Sequence, residues 1–316
     1  MKSLRVGITG AGGMIGRYLA KHWSGINLIL YSTQDTKLPF QHFLRSVDSK
    51  QDQLASFVQS SDVIIHLAHD TNPILSDQLF PASFGDNISF TQRLILELVQ
   101  HKKSQRPLLV YLSSGGTVYG NVNPILGGIN ESQATLPISP YGLEKLTCEH
   151  LLRLGAIRGH YKLVILRASN VYGSFLEVNK NQGIIGVWLS RIKAGLPLKI
   201  TMDPQTIRDY LHIHDLTIAI NQIINAQLPN EYYCFNIGTG KGHSIVDIIE
   251  LLEETSQSEI KLEASLIEQA KYAPNWNVLN CEKINHLIGW RSTISLEMGI
   301  ANLWSSLFLK GLGNSP

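Results

Sequence analysis

A short apolar segment that runs directly into a glycine-rich segment is the sequence feature that most constrains the fold of this chain. Residues 4–9 have the composition of a buried parallel strand, and Gly10, Gly13 and Gly16 follow at regular spacing. An amphipathic helical pattern then begins at Ile15. This order of strand, glycine-rich turn and helix is the context in which such glycines indicate a ligand site.

Each of the three glycines has a physical role in this context. Gly10 and Gly13 lack a Cβ atom, so the backbone can turn tightly and approach a pyrophosphate, while Gly16 lets the helix pack close to the strand. The free N–H groups at the start of a helix bind anions. The segment therefore predicts a dinucleotide site that contains Gly10, Gly13, Met14, Ile15 and Gly16. A strand-to-helix turn without a ligand would show the same pattern, so a second signal is needed.

The residues after the second predicted strand leave the identity of the dinucleotide open. In NAD-binding sheets an acidic residue usually follows this strand and binds the adenosine ribose. Here Tyr31, Ser32 and Thr33 occupy that region, so no carboxylate repels a 2′-phosphate. We expect NAD as the cofactor, and the sequence leaves NADP open.

Composition and charge exclude several classes of function. Only 16% of the residues are charged, the net charge is +2 and no basic block is present, which argues against a nucleic-acid partner. The apolar runs are too short to cross a bilayer, and the chain begins directly with a strand, so we expect no membrane association and no secretory signal. The three cysteines lack the pair spacing of a zinc site or a disulfide framework, so we expect no metal site and a cytoplasmic location.

Apolar runs and helical patterns alternate through the first half of the chain. This alternation predicts an α/β protein with a Rossmann-type, doubly wound parallel sheet. We assign residues 1–170 to this dinucleotide-binding domain and residues 171–316 mainly to a smaller α+β substrate-binding cap, from which a strand and a helix can return to the first domain. The predicted strands are residues 5–9, 28–31, 63–67, 108–113 and 163–168, and the predicted helices are residues 15–23, 51–59, 90–101, 141–155, 183–193, 215–225 and 246–254.

A tyrosine and a lysine four residues apart give the second signal. Pro140 prevents a helix from extending backwards, so Tyr141 and Lys145 lie one turn apart on one face of the helix that follows. A tyrosine has an ordinary pKa of about 10, and an ammonium group together with an oxidised nicotinamide ring would lower it. We predict that Tyr141 is a general base assisted by Lys145. Such pairs also occur by chance on helix surfaces, but the position after the fourth Rossmann strand favours a catalytic role.

With the glycine triplet, the two serines that end the fourth strand and the Pro-Tyr-x-x-x-Lys motif, the chain resembles the extended short-chain dehydrogenase/reductases. Within that family it is most similar to nucleotide-sugar epimerases and dehydratases of the UDP-galactose 4-epimerase type. The resemblance covers nearly the whole chain. The cofactor contacts that it implies, in addition to the glycine-rich segment, Tyr141 and Lys145, are Asp48, Leu67, Ala68, Asn87 and Ser113.

The resemblance also implies substrate contacts in the second half of the chain. Asn170 matches an asparagine that contacts the sugar nucleotide, and Arg208 matches the arginine that binds the substrate pyrophosphate. A guanidinium group suits pyrophosphate oxygens, although a surface ion pair with Asp209 is an alternative. His212 and His214 alternate on a predicted strand, and we interpret them as structural because a metal would need more ligands nearby.

Departures from the family pattern in two regions, the segment after the fourth strand and the region near the C-terminus, bear on the chemistry. Gly115 stands where the epimerases have a catalytic Ser or Thr, so Ser114 or Thr117 must supply the hydroxyl, or the step proceeds without one. If the segment is extended, Thr117 points to the same side as residue 115, and we therefore favour Thr117. Gly116 and Thr117 replace the Asp-Glu pair of the dehydratases, which disfavours dehydration. Lys271 lies where a second pyrophosphate-binding arginine is expected, and a lysine cannot form the two-pronged contact.

These observations lead to one main hypothesis and two alternatives. We expect an epimerase that acts on a nucleoside-diphosphate sugar, at C4, by transient hydride transfer to bound NAD. The first alternative is an NADPH-dependent reductase of a keto-sugar nucleotide or another carbonyl compound. The second is a non-catalytic cofactor-binding protein. The resemblance further implies a homodimer formed through two helices of the Rossmann half.

Overall fold

The computed structural model describes residues 4–23, 26–32, 43–45, 53–82, 84–101, 105–174, 183–200, 202–264 and 274–309. The chain divides into two compact units, each assembled from separate segments. The first unit comprises Met1–Ser114, Pro140–Arg167 and Ile220–Phe235, and the second comprises Gly115–Ser139, Ala168–Ala219 and Asn236–Pro316. The assignment of substrate binding to a domain that begins near residue 170 stays a prediction.

The secondary structure follows the predicted alternation. The strands are β1 Arg5–Thr9, β2 Asn27–Ser32, β3 Phe43–Arg45, β4 Val63–His66, β5 Leu108–Ser114, β6 Lys162–Ala168, β7 Asn170–Tyr172, β8 Leu198–Ile200, β9 Ile207–His212, β10 Tyr232–Ile237, β11 Gly242–His243, β12 Leu262–Ala264 and β13 Trp276–Asn277. The helices are α1 Met14–His22, α2 Leu54–Ser60, α3 Pro73–Leu79, α4 Asp86–Val99, α5 Pro140–Ile157, α6 Ile184–Lys193, α7 Ile213–Asn225, α8 Ile245–Ser256, α9 Glu282–Ile288 and α10 Leu296–Leu309.

A seven-stranded sheet confirms the predicted Rossmann-type fold. Its strand order is β10-β6-β5-β4-β1-β2-β3, in which the order 3-2-1-4-5-6 of a doubly wound sheet is extended by β10 at one edge. The pairs β1–β2, β1–β4, β2–β3 and β4–β5 are all parallel. Helices flank the sheet, so both faces are covered and a strand such as β4 is buried along its whole length. In such sheets ligands bind at the carboxyl ends of the strands.

The hydrophobic core of the first unit anchors the helix that carries the predicted base. Cys148, Leu152 and Ala156 are fully or almost fully buried, and their spacing of four residues puts them on one face of α5. They belong to the same core cluster as Ile165 of β6 and Tyr111 of β5. The packing of this face against the sheet fixes the rotation of α5 about its own axis.

The second unit contains smaller sheets around a separate core. β9 pairs with β7 and β13 in parallel and with β11 antiparallel, and β8 pairs with β12 in parallel. Trp188 of α6, Leu252 of α8 and Ile300 of α10 belong to one buried cluster. Within the described parts of the chain, no helix has the length and apolar character needed to cross a membrane.

The structure corrects some details of the prediction. β9 ends at His212 and α7 begins at Ile213, so the prediction that His214 lies on a strand is wrong. Helix α4 begins at Asp86, earlier than predicted, because Gly85 adopts a left-handed conformation with φ of 109° that starts the helix and an acidic residue favours its first turn. Helices α3, α9 and α10 were not predicted: α3 and α9 have only seven residues each, whereas α10 has the apolar spacing of an amphipathic helix, with Leu296, Ile300 and Leu303 buried, and sequence reasoning missed it.

Candidate active site

The glycine-rich turn has the shape that the sequence predicts. Gly10 has a φ of +68°, and a Cβ atom added to it would lie 2.7 Å from the backbone N of Ala68. A Cβ atom on Gly16 would lie 2.6 Å from the carbonyl oxygen of Gly10. Larger residues would therefore separate β1 from α1 and from the segment that follows β4. Helix α1 begins at Met14, and no side chain caps its N-terminus, so its first N–H groups can bind an anion.

The segment after β4 is hydrogen bonded to the end of β1. The Leu67 N–H donates to the carbonyl of Thr9 at 3.3 Å, and the Ala68 N–H donates to the Thr9 hydroxyl at 3.3 Å. The Thr9 hydroxyl is also hydrogen bonded to Nδ1 of the buried His66, at 2.8 Å. Leu67 and Ala68 thus lie beside the glycine-rich turn, where the resemblance places them. Asp48 and Lys271 fall outside the described residues.

Tyr141 and Lys145 lie on α5, which begins at Pro140, one residue before the predicted start. Lys145 is buried, and its Nζ donates to the carbonyl of Leu112, on β5, at 2.9 Å. The same Nζ lies 5.7 Å from the centre of the Tyr141 ring, so the ammonium group faces the tyrosine. Burial lowers the pKa of Lys145 to about 8, although nearby acidic groups oppose the fall.

The surroundings of Tyr141 act against the predicted fall of its pKa. Part of the residue reaches solvent, but protein surrounds the phenol, and this desolvation raises the pKa above its ordinary value. The negative charge of Glu144 raises it further. In the protein itself, desolvation and Glu144 therefore outweigh Lys145.

Asn87 and Ser113, predicted to contact the cofactor, have well-defined partners within the protein. The Asn87 side-chain oxygen accepts from the Asp70 N–H at 2.8 Å, so Asn87 holds the segment after β4. The Ser113 hydroxyl donates to the buried carboxylate of Glu149. Arg167 of β6 also binds Glu149, with Nη2 at 2.7 Å from a carboxylate oxygen. The contacts of Asn87 and Ser113 with a cofactor stay predictions.

The serine and the threonine that could replace the missing catalytic hydroxyl lie in different units. Ser114 is the last residue of β5 in the first unit. Thr117 belongs to a turn over residues 115–119 of the second unit, so the assumption of an extended segment is wrong. The Thr117 hydroxyl oxygen is buried and has no hydrogen-bond partner among the described residues. Buried polar atoms normally have a hydrogen-bond partner. The unpaired hydroxyl of Thr117 therefore has hydrogen-bonding capacity left for a bound molecule.

Arg208 is buried on β9, and the predicted alternative of an ion pair with Asp209 is wrong. Asp209 is engaged elsewhere: its carboxylate accepts from the N–H groups of Thr239, Gly240 and Leu279. Adjacent residues of a strand point to opposite faces, which separates the two side chains. The Arg208 Nη1 donates to the carbonyl of Ile207 at 3.0 Å, and no carboxylate pairs with the guanidinium within the part of the chain that the structure describes. Burial lowers the pKa of Arg208 to about 10.

Asn170 lies at the start of β7, in the same unit as Arg208. Its side-chain Nδ2 donates to the backbone carbonyl of Asp209 at 3.1 Å, and the residue is partly exposed. β7 and β9 pair in parallel, with Asn170 opposite Tyr210. Asn170 and Arg208 are therefore on neighbouring strands, and their contacts with a substrate stay predictions.

Sequence reasoning missed one buried acidic residue at this site. Glu144 lies between Tyr141 and Lys145 on α5, in the variable part of the motif, and only 1% of its surface is exposed. A signal was present, because charged residues are seldom fully buried without partners and a glutamate on the apolar side of a helix is unusual.

These features fit a dinucleotide cofactor. Gly10 has no Cβ atom, so a pyrophosphate can come close to the backbone there. The N-terminus of α1, which no side chain caps, supplies N–H donors for it. Among the described residues, no group of three or more His, Cys, Asp or Glu side chains could hold a metal ion.

Comparison with known proteins supports this assignment. The dTDP-4-dehydro-6-deoxyglucose reductase of Escherichia coli is 31% identical over 64% of this chain, and the chain spans 62% of the length of that reductase. The UDP-glucose 4-epimerase of Mycoplasma pneumoniae is 26% identical over 88% of each protein. Among solved structures, the UDP-glucose 4-epimerase of Thermotoga maritima with UDP-glucose is 23% identical, has a TM-score of 0.83 and covers 98% of this chain and 100% of its own. That likeness shows a shared fold.

The family is shown by a longer match. The model of the NAD dependent epimerase/dehydratase family matches residues 6–238, well over half of the chain. The match includes the glycine-rich turn, the Tyr141 and Lys145 pair, and Arg208. The protein belongs to the NAD-dependent epimerase/dehydratase family.

Proposed function

We propose that this protein is a nucleotide-sugar epimerase that inverts C4 of a nucleoside-diphosphate sugar with NAD as a bound cofactor. The observation that carries the proposal is the buried Lys145 facing Tyr141 on α5, in a chain with the glycine-rich turn of the family. A full-length relative named as a UDP-glucose 4-epimerase supports the choice of substrate class. When bound, NAD supplies a hydride acceptor that returns the hydride, so no cofactor is consumed.

The chain itself provides three functions for this reaction. The glycine-rich turn and the start of α1 bind the dinucleotide pyrophosphate. Tyr141, as the phenolate, accepts the proton of the sugar C4 hydroxyl and later returns it, and the ammonium group of Lys145 stabilises the phenolate before the proton is accepted and after it is returned. Arg208 binds the pyrophosphate of the sugar nucleotide, because a buried guanidinium that pairs with no carboxylate among the described residues gains charge-assisted hydrogen bonds from an anion.

A reductase is the second candidate, because the E. coli relative at 31% identity is named as one. The two functions differ in whether cofactor is consumed. We expect purified protein to interconvert UDP-glucose and UDP-galactose, or another pair of C4 epimers, without added NADPH, as followed by NMR of the anomeric protons. Stoichiometric oxidation of NADPH with a 4-keto-sugar nucleotide, and no interconversion of epimers, would support the reductase and contradict the epimerase.

Substitution of Tyr141 by phenylalanine tests the base. Phenylalanine keeps the ring packing but cannot accept the proton, so we expect turnover to fall by at least about 100-fold, the lower end for general acid–base groups. NAD affinity, measured by calorimetry, should change little. As a control, Tyr18→Phe removes a hydroxyl from α1 and should leave turnover near the wild-type value. Turnover of Tyr141→Phe within a few-fold of wild type would rule out this mechanism.

Substitution of Arg208 by alanine tests the substrate contact. Loss of a charge-assisted interaction of about 1.5–3 kcal/mol predicts roughly 10- to 100-fold weaker binding of the sugar nucleotide. Affinity for NAD should stay within a few-fold of wild type, and both affinities can be measured by calorimetry. The matched control is Arg106→Ala, which removes an arginine that forms an ion pair with Glu231 instead. A loss of NAD affinity with unchanged substrate affinity would show that the role of Arg208 is misassigned.

Two further variants decide which hydroxyl replaces the missing one at Gly115. Thr117→Val keeps the shape of the side chain and removes the buried hydroxyl that has no described partner, so we expect a turnover loss on the order of 10-fold or more. Ser114→Ala should have a smaller effect. Circular dichroism should confirm that both variants fold. If turnover falls equally little in both, Tyr141 and Lys145 work without a hydroxyl partner.

We also propose a homodimer and a cytoplasmic location. Apolar side chains on α4 and α5 are exposed in the single chain, among them Leu96, Val99, Leu154 and Ile157. A contiguous exposed apolar surface indicates a protein–protein contact. All three cysteines are free, which suits a reducing compartment. Sedimentation of the purified protein measures the oligomeric state.

A further inference from the structure

The carboxylate of Glu144 is buried beside the proposed catalytic pair. Glu144 directly precedes Lys145 and follows Tyr141 by three residues, so all three side chains leave neighbouring positions of α5. Only 1% of its surface is exposed. A buried carboxylate is costly unless it is well paired, so its surroundings decide what it can do.

Hydrogen-bond donors from two other segments surround this carboxylate. Its Oε1 accepts from the Gly85 N–H, at the start of α4, at 2.7 Å. Its Oε2 accepts from Nδ2 of Asn87 at 2.9 Å and from the Thr71 hydroxyl at 3.5 Å. All of these partners donate, which is the arrangement that an ionised carboxylate requires.

Among the described residues, no lysine or arginine lies within ion-pair distance of Glu144. The Lys145 ammonium group donates instead to the Leu112 carbonyl. The ionisable group nearest to Glu144 is His69, whose Nε2 lies 3.7 Å from Oε2. Burial, with the charges of Lys145 and His66, lowers the pKa of His69 well below its ordinary value, so His69 is neutral near pH 7. The direct partners of the Glu144 carboxylate are therefore neutral hydrogen-bond donors, and the Lys145 ammonium group acts on it only from a longer distance.

The same cluster connects the cofactor segment with the catalytic tyrosine. His69 packs edge-on against the Tyr141 ring, with ring centres 4.8 Å apart and an interplanar angle of 84°. Residues 69–71 follow directly after Leu67 and Ala68, which lie beside the glycine-rich turn. Glu144 binds Thr71 and shares Asn87 with Asp70, so it fixes this segment to α5.

We propose that Glu144 is a positioning residue of the epimerase reaction, which holds the segment after β4 and the start of α4 against α5 and presents one negative charge to the Tyr141–Lys145 pair. The inference rests on the proposed function for its role in catalysis. Its structural part, a charge that acts on Tyr141, can be tested without any sugar nucleotide.

The charge of Glu144 therefore shifts the pH range in which the Tyr141–Lys145 pair is active. Glu144 raises the pKa of Tyr141, second to burial, and it also opposes the fall of the Lys145 pKa. Removal of its charge should lower both. The other titratable groups that face the pair are His66 on β4, His69 on the segment after β4, Tyr111 on β5, and Cys148 and Glu149 on α5.

Two substitutions separate the effect of the Glu144 charge from the effect of its side-chain length. Glu144→Gln keeps the size and removes the charge, whereas Glu144→Asp keeps the charge and shortens the side chain. Glu144→Met, which needs no polar partner, replaces the glutamine variant if that variant fails to fold. Glu97→Gln, at a partly exposed position of α4, is the matched control for loss of a carboxylate from the same unit.

The first readout is the ultraviolet absorbance of the Tyr141 phenolate in NAD-bound protein. The chain has 11 tyrosines, so the signal is obtained as the difference from the same protein with Tyr141→Phe. We expect the phenolate of the Glu144→Gln variant to appear at lower pH, by on the order of one pH unit. Glu144→Asp and Glu97→Gln should titrate like wild type. An unchanged midpoint in Glu144→Gln would overturn the electrostatic part of the proposal.

The second readout is turnover. We expect Glu144→Asp to lose at least about 10-fold in kcat with little change in KM, because a shorter side chain cannot reach both Gly85 and Asn87 and misplacement of reacting groups lowers turnover. Wild-type kcat in Glu144→Asp would overturn the positioning part. In the glutamine variant both limbs of the pH profile of kcat should move to lower pH, which a purely structural role would not cause. If wild-type protein epimerises no sugar nucleotide, the proposed function fails, but the phenolate titration still decides whether Glu144 acts on Tyr141.

Discussion

Three charged side chains of α5 are buried, and the position of the proposed catalytic groups depends on the partners that each of the three has. On α5, the Lys145 ammonium group donates to the Leu112 carbonyl, Glu149 binds Arg167, and Glu144 accepts from Gly85. A buried charge that loses its partner destabilises a protein by several kcal/mol. These three contacts tie α5 to β5, to β6 and to the start of α4, and a rotation or shift of the helix would break all of them. The location of Tyr141 is therefore fixed together with that of α5.

Burial and charge oppose each other at this tyrosine. Desolvation and Glu144 raise the pKa of Tyr141, whereas the ammonium group of Lys145 favours the phenolate. The Lys145 pKa of about 8 means that this assistance is present at neutral pH and weakens above it. Because the two groups interact, their proton losses belong to the pair and not to either residue alone. In the protein alone, burial and Glu144 therefore favour the protonated form of Tyr141.

Local sequence patterns predicted the strands of the sheet, the glycine-rich turn and the shared helix face of Tyr141 and Lys145. They could not predict contacts between segments that are distant in sequence. The strand before Gly10, the helix after it, and the single helix face shared by Tyr141 and Lys145 all follow from spacing along a few residues. The role of Glu144 depends on Gly85 and Asn87, which lie more than fifty residues away in sequence. The periodicity of apolar residues along the chain does not indicate contacts between residues so far apart in sequence. The orientation inferred for Thr117 failed for a related reason, because Gly115 and Gly116 allow a turn that the simple strand rule does not describe.

Arg208 and Asp209 are adjacent on β9 but have different environments, so the strand is sensitive to changes in its length. The Asp209 carboxylate joins the turn at Thr239 and Gly240 to Leu279, while Arg208 faces the other way with its guanidinium available to an anion. Strand side chains alternate, so a one-residue insertion or deletion before this pair would exchange the two faces and place a cation in the network and a carboxylate toward the anion. Fold and anion recognition would be lost together. A change in the length of this strand would therefore disrupt the hydrogen bonds of Asp209, whereas a point substitution at Arg208 can alter its proposed anion contact and leave those hydrogen bonds intact.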